Sequence, residues 1–374
     1  MRFNLSNIFR LGIKELRSLY RDPVMMFMIF WAFSMSIYIA GTSISHDLRN
    51  ASIAIVDEDR SPLSLSIQGA FLPPYFKKPE IVDFRDIDKN MERGAHTFTL
   101  VIPKDFEADV LKGRAPALQL DLDATAVMIA GIGAGYIQNI IHGEVARFLS
   151  DGSAAQAPVN LKIRYAFNPN LSSMWFTSIM EIISNITMFT ILLTGAALIR
   201  EREHGTIEHL LVMPVTPLEI MFAKVWSSGV VVIGATAFSL WVMIEAVLGV
   251  PIAGSIPLFL FGTLLYLFFA SSLGIFLGTV ARSMPQFGLL FIITVLPMIL
   301  LSGGQTPLES QPEWLQSVMW FVPSTHFVSF AQAILYRGAG FETVWPNYLA
   351  VAVVGMALLS LSALAFRRSM SSTS

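Results

Sequence analysis

Long apolar runs alternate along this chain with stretches that hold nearly all of its charge. From Val24 to Gly41 no residue is charged, a length that suits a helix crossing roughly 30 Å of hydrocarbon at about 1.5 Å per residue. Five further runs follow: Phe176–Ile199, interrupted near its start by Glu181; Val225–Leu248, containing Glu245; Ile256–Val280; Phe287–Leu301; and Tyr348–Phe366. The pattern predicts an α-helical polytopic membrane protein with six transmembrane helices, the first across 23–41 and the other five within 174–368. Ahead of the first run, Leu5, Ile8, Phe9, Ile13, Leu16 and Tyr20 gather near one helical face, with Arg10, Lys14 and Arg17 on the other. A basic face beside an apolar one predicts that residues 1–22 form an amphipathic helix in the membrane interface. The first run is longer than a signal-peptide core and follows a longer basic segment, so an uncleaved anchor is expected.

Residues 42–173 have a different texture. Ala51–Val56 and Thr97–Ile102 are short strand-like runs, and Ala117–Asp123 alternates apolar and polar positions as a half-exposed strand does. Pro103–Leu111 and Ala126–Leu149 have helical period, and Asp151–Pro158 has the composition of a flexible linker. Strands alternating with helices predict a small α/β domain between spans one and two.

The basic residues orient this arrangement. Arg2, Arg10, Lys14, Arg17 and Arg21 precede the first span; Arg200, Arg202 and Lys224 lie between the second and third; Arg282 separates the fourth and fifth; Arg367 and Arg368 follow the sixth. On the opposite side, Val250–Ser255 has no basic residue and Ser302–Asn347 only Arg337. The positive-inside rule places both termini, including the tail 369–374, in the cytoplasm, and it makes 42–173 extracytoplasmic. Composition agrees: 54% of the 374 residues are hydrophobic and 14% charged, against about 25% charged in an ordinary soluble domain. The net charge of −2 gives no general attraction to nucleic acid. With no cysteine, disulfides and thiolate metal sites are excluded.

The chain has no G-x-x-x-x-G-K-[ST] loop to cradle a nucleotide's phosphates. Active transport would therefore draw on a separate ATPase or on an ion gradient. The segment 199–224 suggests which. Arg200 to Glu203 form a dense charge cluster expected to leave the membrane. Gly205 breaks the helix, Thr206 can cap a new one with Glu208 in its first turn, and Ile207, Leu210 and Leu211 give that turn an apolar face. Pro214 and Pro217 bracket a tight return, and Glu219 opens the next helix. A plain connecting loop would need neither two prolines nor a glycine break, so the segment is expected to be a rigid elbow that docks a partner.

Here the sequence resembles the type-2 ABC exporter permeases, whose pattern E-R-E-x-G-T-x-E-x-L-L-x-x-P joins spans two and three. Glu201, Arg202, Glu203, Gly205, Thr206, Glu208, Leu210, Leu211 and Pro214 match it position by position, and Pro217, Glu219 and Lys224 continue it. The likeness extends over nearly the whole chain, and within the family it is greatest to bacterial inner-membrane permeases of multidrug exporters. It implies that these residues couple to a cytoplasmic ABC ATPase, which would hold the ATP and magnesium, while this chain binds no cofactor and is not itself an enzyme. It further implies a second permease copy or a similar permease, a hydrophobic, drug-like or lipid-like cargo, and an external domain that meets a periplasmic membrane-fusion adaptor or receives cargo.

Other candidate chemistry is weaker. His204, Glu208 and His209 miss both zincin spacings. Glu181 and Glu245 are intramembrane carboxylates that would line a pathway or, lying close to span ends, reach the interface. Ser302–Pro307 breaks the helix, and the short apolar runs Trp314–Val322 and Val328–Leu335 suggest a re-entrant hairpin over about 302–336. Two other classes compete. A membrane-anchored binding or sensor protein would need only one anchor, and an ion-driven transporter would carry charges deep in several spans.

Overall fold

The computed structural model describes residues 4–43, 50–87, 90, 95–122, 127–149, 173–203, 215–306 and 308–371. They form two compact units, Met1–Ile44 with Tyr165–Ser374, and Ser45–Arg164. In the first unit α1 (Leu5–Tyr20) is capped by the Asn4 side chain. Span one begins where Asp22 caps Pro23, an acidic N-cap followed by proline at the first helical position. It is not the continuous helix its apolar run suggests. It divides at Ser34 into α2 (Pro23–Phe33) and α3 (Met35–Ser43).

The second unit carries a four-stranded sheet, ordered β2-β1-β3-β4. β1 (Ile53–Asp57) lies parallel to β2 (Glu80–Ile81) and β3 (Phe98–Ile102), and β4 (Gln119–Leu122) closes antiparallel on β3. The central strands are apolar but for Asp57 and Thr99, because both faces are covered. Ile53, Ile55, Phe98 and Leu100 face one core, with Leu63 and Ile67 of α4 (Pro62–Gly69) and Ile137 of α6 (Val127–Leu149); Val56 and Val101 face the other. The sequence reading missed α4, although Ser61 and Pro62 form a capping signature. It also missed β2, which is too short for any periodicity. The helix expected from Pro103 starts only at Phe106, as α5 (Phe106–Leu111).

The remaining spans belong to the first unit. α7 (Ser173–Glu203) and α8 (Pro217–Phe238) are spans two and three; α8 continues as wider π-turns over Ser239–Val247. α9 (Ile256–Val280), α10 (Met284–Leu301) and α13 (Phe341–Ser371) are spans four to six. Among the described residues, six helical stretches of this unit, the broken span one included, are long and apolar enough to cross a membrane, so the chain is a polytopic membrane protein. Spans two and four are the most buried of them. They meet through small residues: a Cβ on Gly274 would lie 2.1 Å from Thr194 Oγ1 and 2.5 Å from Ile191 O. Gly274 and Gly278 are the pair of a G-x-x-x-G seam, facing Gly195. Between spans five and six, α11 (Glu313–Trp320) and α12 (Pro323–Leu335) meet at 86°. This bent pair occupies the segment expected to form a hairpin. His326 ties it to span six, with Nδ1 3.0 Å from Asn347 Oδ1.

Candidate functional site

The charged tip of span two is a fastening point. Arg200 to Glu203, the charge cluster that opens the segment 199–224, form the last turn of α7. Each charge finds a partner on another element. Glu201 Oε1 lies 2.9 Å from Lys14 Nζ of α1, and its Oε2 lies 2.8 Å from Lys224 Nζ of α8. Lys224 also reaches Glu15 Oε1 of α1 at 3.0 Å. Only 3% of the Lys224 side chain and 12% of Glu201 are exposed. The two cations and two carboxylates sum to zero, which lets so much charge lie among apolar helices. A cavity of about 230 Å³ adjoins the cluster, lined by Glu15, Leu19, Thr194, Ala197, Glu201 and Lys224 among others.

The next two charges bind helix ends of complementary sign. Arg202 Nη1 donates to Thr279 O at 3.2 Å and to Ala281 O at 2.6 Å, at the C-terminus of span four. Glu203 Oε1 accepts from Met284 N–H at 2.8 Å, at the N-terminus of span five. Unpaired carbonyls at a C-terminus favour a cation, and unpaired amides at an N-terminus favour an anion. Arg200 Nη1 meets Asp22 Oδ2, the cap of span one, at 3.0 Å. Four consecutive side chains thus hold α1 and spans one, three, four and five. Changing Arg202 to leucine should cost about 1 kcal/mol or more, because Thr279 O and Ala281 O lose their charged donor; thermal unfolding in detergent would measure it.

Glu219 is buried at the start of α8. Its carboxylate accepts from Thr216 N–H and from Asn4 N–H, each at 2.6 Å, while Thr216 Oγ1 accepts from Glu219 N–H at 3.3 Å. This is a capping box that also clasps the start of α1, with Pro217 at the first turn. Trp226 completes the clasp: its Nε1 donates to Ile8 O at 3.1 Å and its ring stacks on Phe9 at 5.6 Å. Gly12 makes room, because a Cβ there would fall 2.1 Å from the indole.

Of the residues singled out from the sequence, Glu201, Arg202, Glu203, Pro217 and Glu219 are thus brought together. Gly205, Thr206, Glu208, Leu210, Leu211 and Pro214 lie outside the described residues, as do His204 and His209. Glu245 is exposed on the π-turns of span three. Glu181 turns toward span one, where Ser36 Oγ donates to it. Sequence reasoning missed Lys14 and Glu15, and it quoted Lys224 only as the end of a pattern. Two signals were available: Glu15 is a lone acid among the cations of α1, and Lys224 sits inside the apolar run Ile220–Val225.

Comparison with known proteins places this architecture. The description "ABC-2 family transporter protein" matches residues 24–364. The chain belongs to this family. It is 52% identical over 366 residues to the inner membrane transport permease YhhJ of Escherichia coli K12, covering 98% of each chain. Two further proteins of that strain, each named "Probable multidrug ABC transporter permease", are more distant. YbhR is 27% identical over 95% of this chain and 96% of its own length, and YbhS is 27% identical over 95% and 93%.

Proposed function

We propose that this chain is the membrane-spanning subunit of an exporter, driven by a separate ATP-hydrolysing subunit that presses on residues 204–214. The observation that carries this reading is the fastening at the tip of span two. A push on the adjoining residues would enter α7 at Glu203 and pass through side chains to α1 and spans one, three, four and five. Such a junction suits a subunit that receives mechanical work and redistributes it. Family membership supports an ABC ATPase partner, with ATP and magnesium held there, and a second permease copy or a similar permease.

The distribution of lysine and arginine supports cytoplasmic termini, and the names of the relatives support the bacterial inner membrane as the location. Those names also favour a hydrophobic, drug-like or lipid-like cargo. An interfacial position for α1 is supported by its three faces. Ile8 and Gly12 pack on α8; Leu5, Phe9 and Tyr20 are 73%, 62% and 79% exposed; Arg10 and Arg17 form a separate polar flank. An apolar strip left open beside cations fits the boundary between headgroups and acyl chains. The α/β unit following span one would then be extracytoplasmic, placed to meet an adaptor or cargo.

The test is co-reconstitution with the ATPase subunit. Changing Glu208 and Leu211 together to alanine should leave hydrolysis running while transport falls by about tenfold or more, a loss of coupling worth at least about 1.4 kcal/mol. Wild-type transport by that variant would remove 204–214 from the path of force.

A further inference from the structure

Three irregularities of the membrane unit coincide around Glu181. Span one is broken between α2 and α3, span three widens into π-turns from Ser239, and span two carries a carboxylate beside them. The break leaves carbonyls of α2 without helical partners, and other spans supply them. Asn185 Nδ2 donates to Ala32 O at 2.8 Å, and Ser239 Oγ donates to Phe33 O. Asn185 and Ser239 are buried and lie on different spans. The broken backbone is therefore satisfied without Glu181, one turn before Asn185 on α7.

Glu181 is held by other means. Ser36 Oγ donates to its Oε1 from the first turn of α3. The second oxygen, Oε2, has no hydrogen-bond partner among the described residues and is not enclosed, and no described Lys, Arg or His pairs with this carboxylate. Glu181 lies about 12 Å along the helix from Ser173. A carboxylate within a spanning helix is costly unless a cation or water meets it. Discontinuous helices at membrane depth are where transporters hold the charged group of a cargo.

The chemistry narrows the cation. One carboxylate and one hydroxyl do not make the six or more oxygens that a calcium ion takes, nor the near-octahedral set of magnesium. A single ammonium needs one open carboxylate oxygen and tolerates apolar surroundings for the carbon body it carries. α3 leaves Ile39 exposed on the face it shares with Ser36.

We propose that Glu181, with Ser36 at the break in span one, is an anionic site that receives the ammonium group of an amphiphilic cationic cargo. The inference takes the word cargo from the exporter reading, but the binding itself does not depend on an ATPase.

The full chain in phosphatidylcholine nanodiscs, without any ATPase, tests it with two probes. One is a dansyl-labelled dodecyl amine, and the other is its N-acetylated, uncharged counterpart. Fluorescence titration should show the wild type binding the ammonium at least about tenfold more tightly than the amide. Glu181→Gln, which keeps the shape of the side chain, should erase that preference and leave amide binding unchanged. A preference that survives Glu181→Gln overturns the proposal. So does a wild type with no preference, an outcome that decides the matter even if the variant folds poorly. Either result leaves the exporter reading standing, since that is judged by the coupling of hydrolysis to transport.

Discussion

Changing Lys224 to methionine should destabilise the membrane unit by about 3 kcal/mol or more, among the largest single-residue effects available in this chain. Lys224 is almost wholly buried and neutralises two carboxylates at once, Glu15 at 3.0 Å and Glu201 at 2.8 Å. Its removal leaves buried negative charge with only Lys14 nearby, and that side chain is half exposed. The size of the effect comes from what remains behind rather than from the intrinsic worth of the ion pairs, because taking charges out of water offsets most of their attraction. The contrast is therefore the informative measurement. A triple variant with Glu15→Gln, Glu201→Gln and Lys224→Met should recover most of the loss. Chemical unfolding in detergent, followed by tryptophan fluorescence, would compare the two. A single Lys224→Met variant as stable as the wild type would show that the cluster does not hold α1 in place.

Gly274→Val is expected to prevent assembly of the membrane unit, or at least to weaken it by about 3 kcal/mol. The first added atom alone would stand 2.1 Å from Thr194 Oγ1 and 2.5 Å from the Ile191 carbonyl, and backbone cannot swing aside as a flexible side chain can. Between apolar helices in lipid, association rests on close packing rather than on hydrophobic exclusion. The helices must therefore separate along their length to admit the branched side chain. The yield of monodisperse protein and the melting temperature would report this directly. Gly288→Val on span five is the matched control: nothing lies within 4 Å of the Cβ position there, so it should behave as the wild type does.

How legible these features were depends on how local their causes are. Ile256–Val280 has the same limits in sequence and structure, because Ser255 caps it and an apolar run fills it. The helix of span two runs four residues past its apolar run, to Glu203, with charges that find partners elsewhere in the chain. Those partners, Asp22, Lys14, Ala281 and Met284, are distant in the chain. The break at Ser34 carries no glycine or proline. It persists because Asn185 and Ser239, on two other spans, accept the cost of solvating its carbonyls, and no window around residue 34 contains that information. The same holds for the π-turns of span three. For the candidate site, the E-R-E triplet was visible as a motif, but the motif implies contact with a partner and gives no hint of inward-facing partners within the chain.

The fastening at the tip of span two separates two kinds of residue that adjoin each other in the chain. Under the proposed coupling role, residues 204–214 would answer to the subunit they face, whereas Arg200 to Glu203 answer to Lys14, Asp22, Lys224 and the ends of spans four and five. A chimera that borrows another permease's motor specificity has its natural seams after Glu203 and before Thr216. A graft begun a few residues earlier would import a tip whose charges have no counterparts in the recipient.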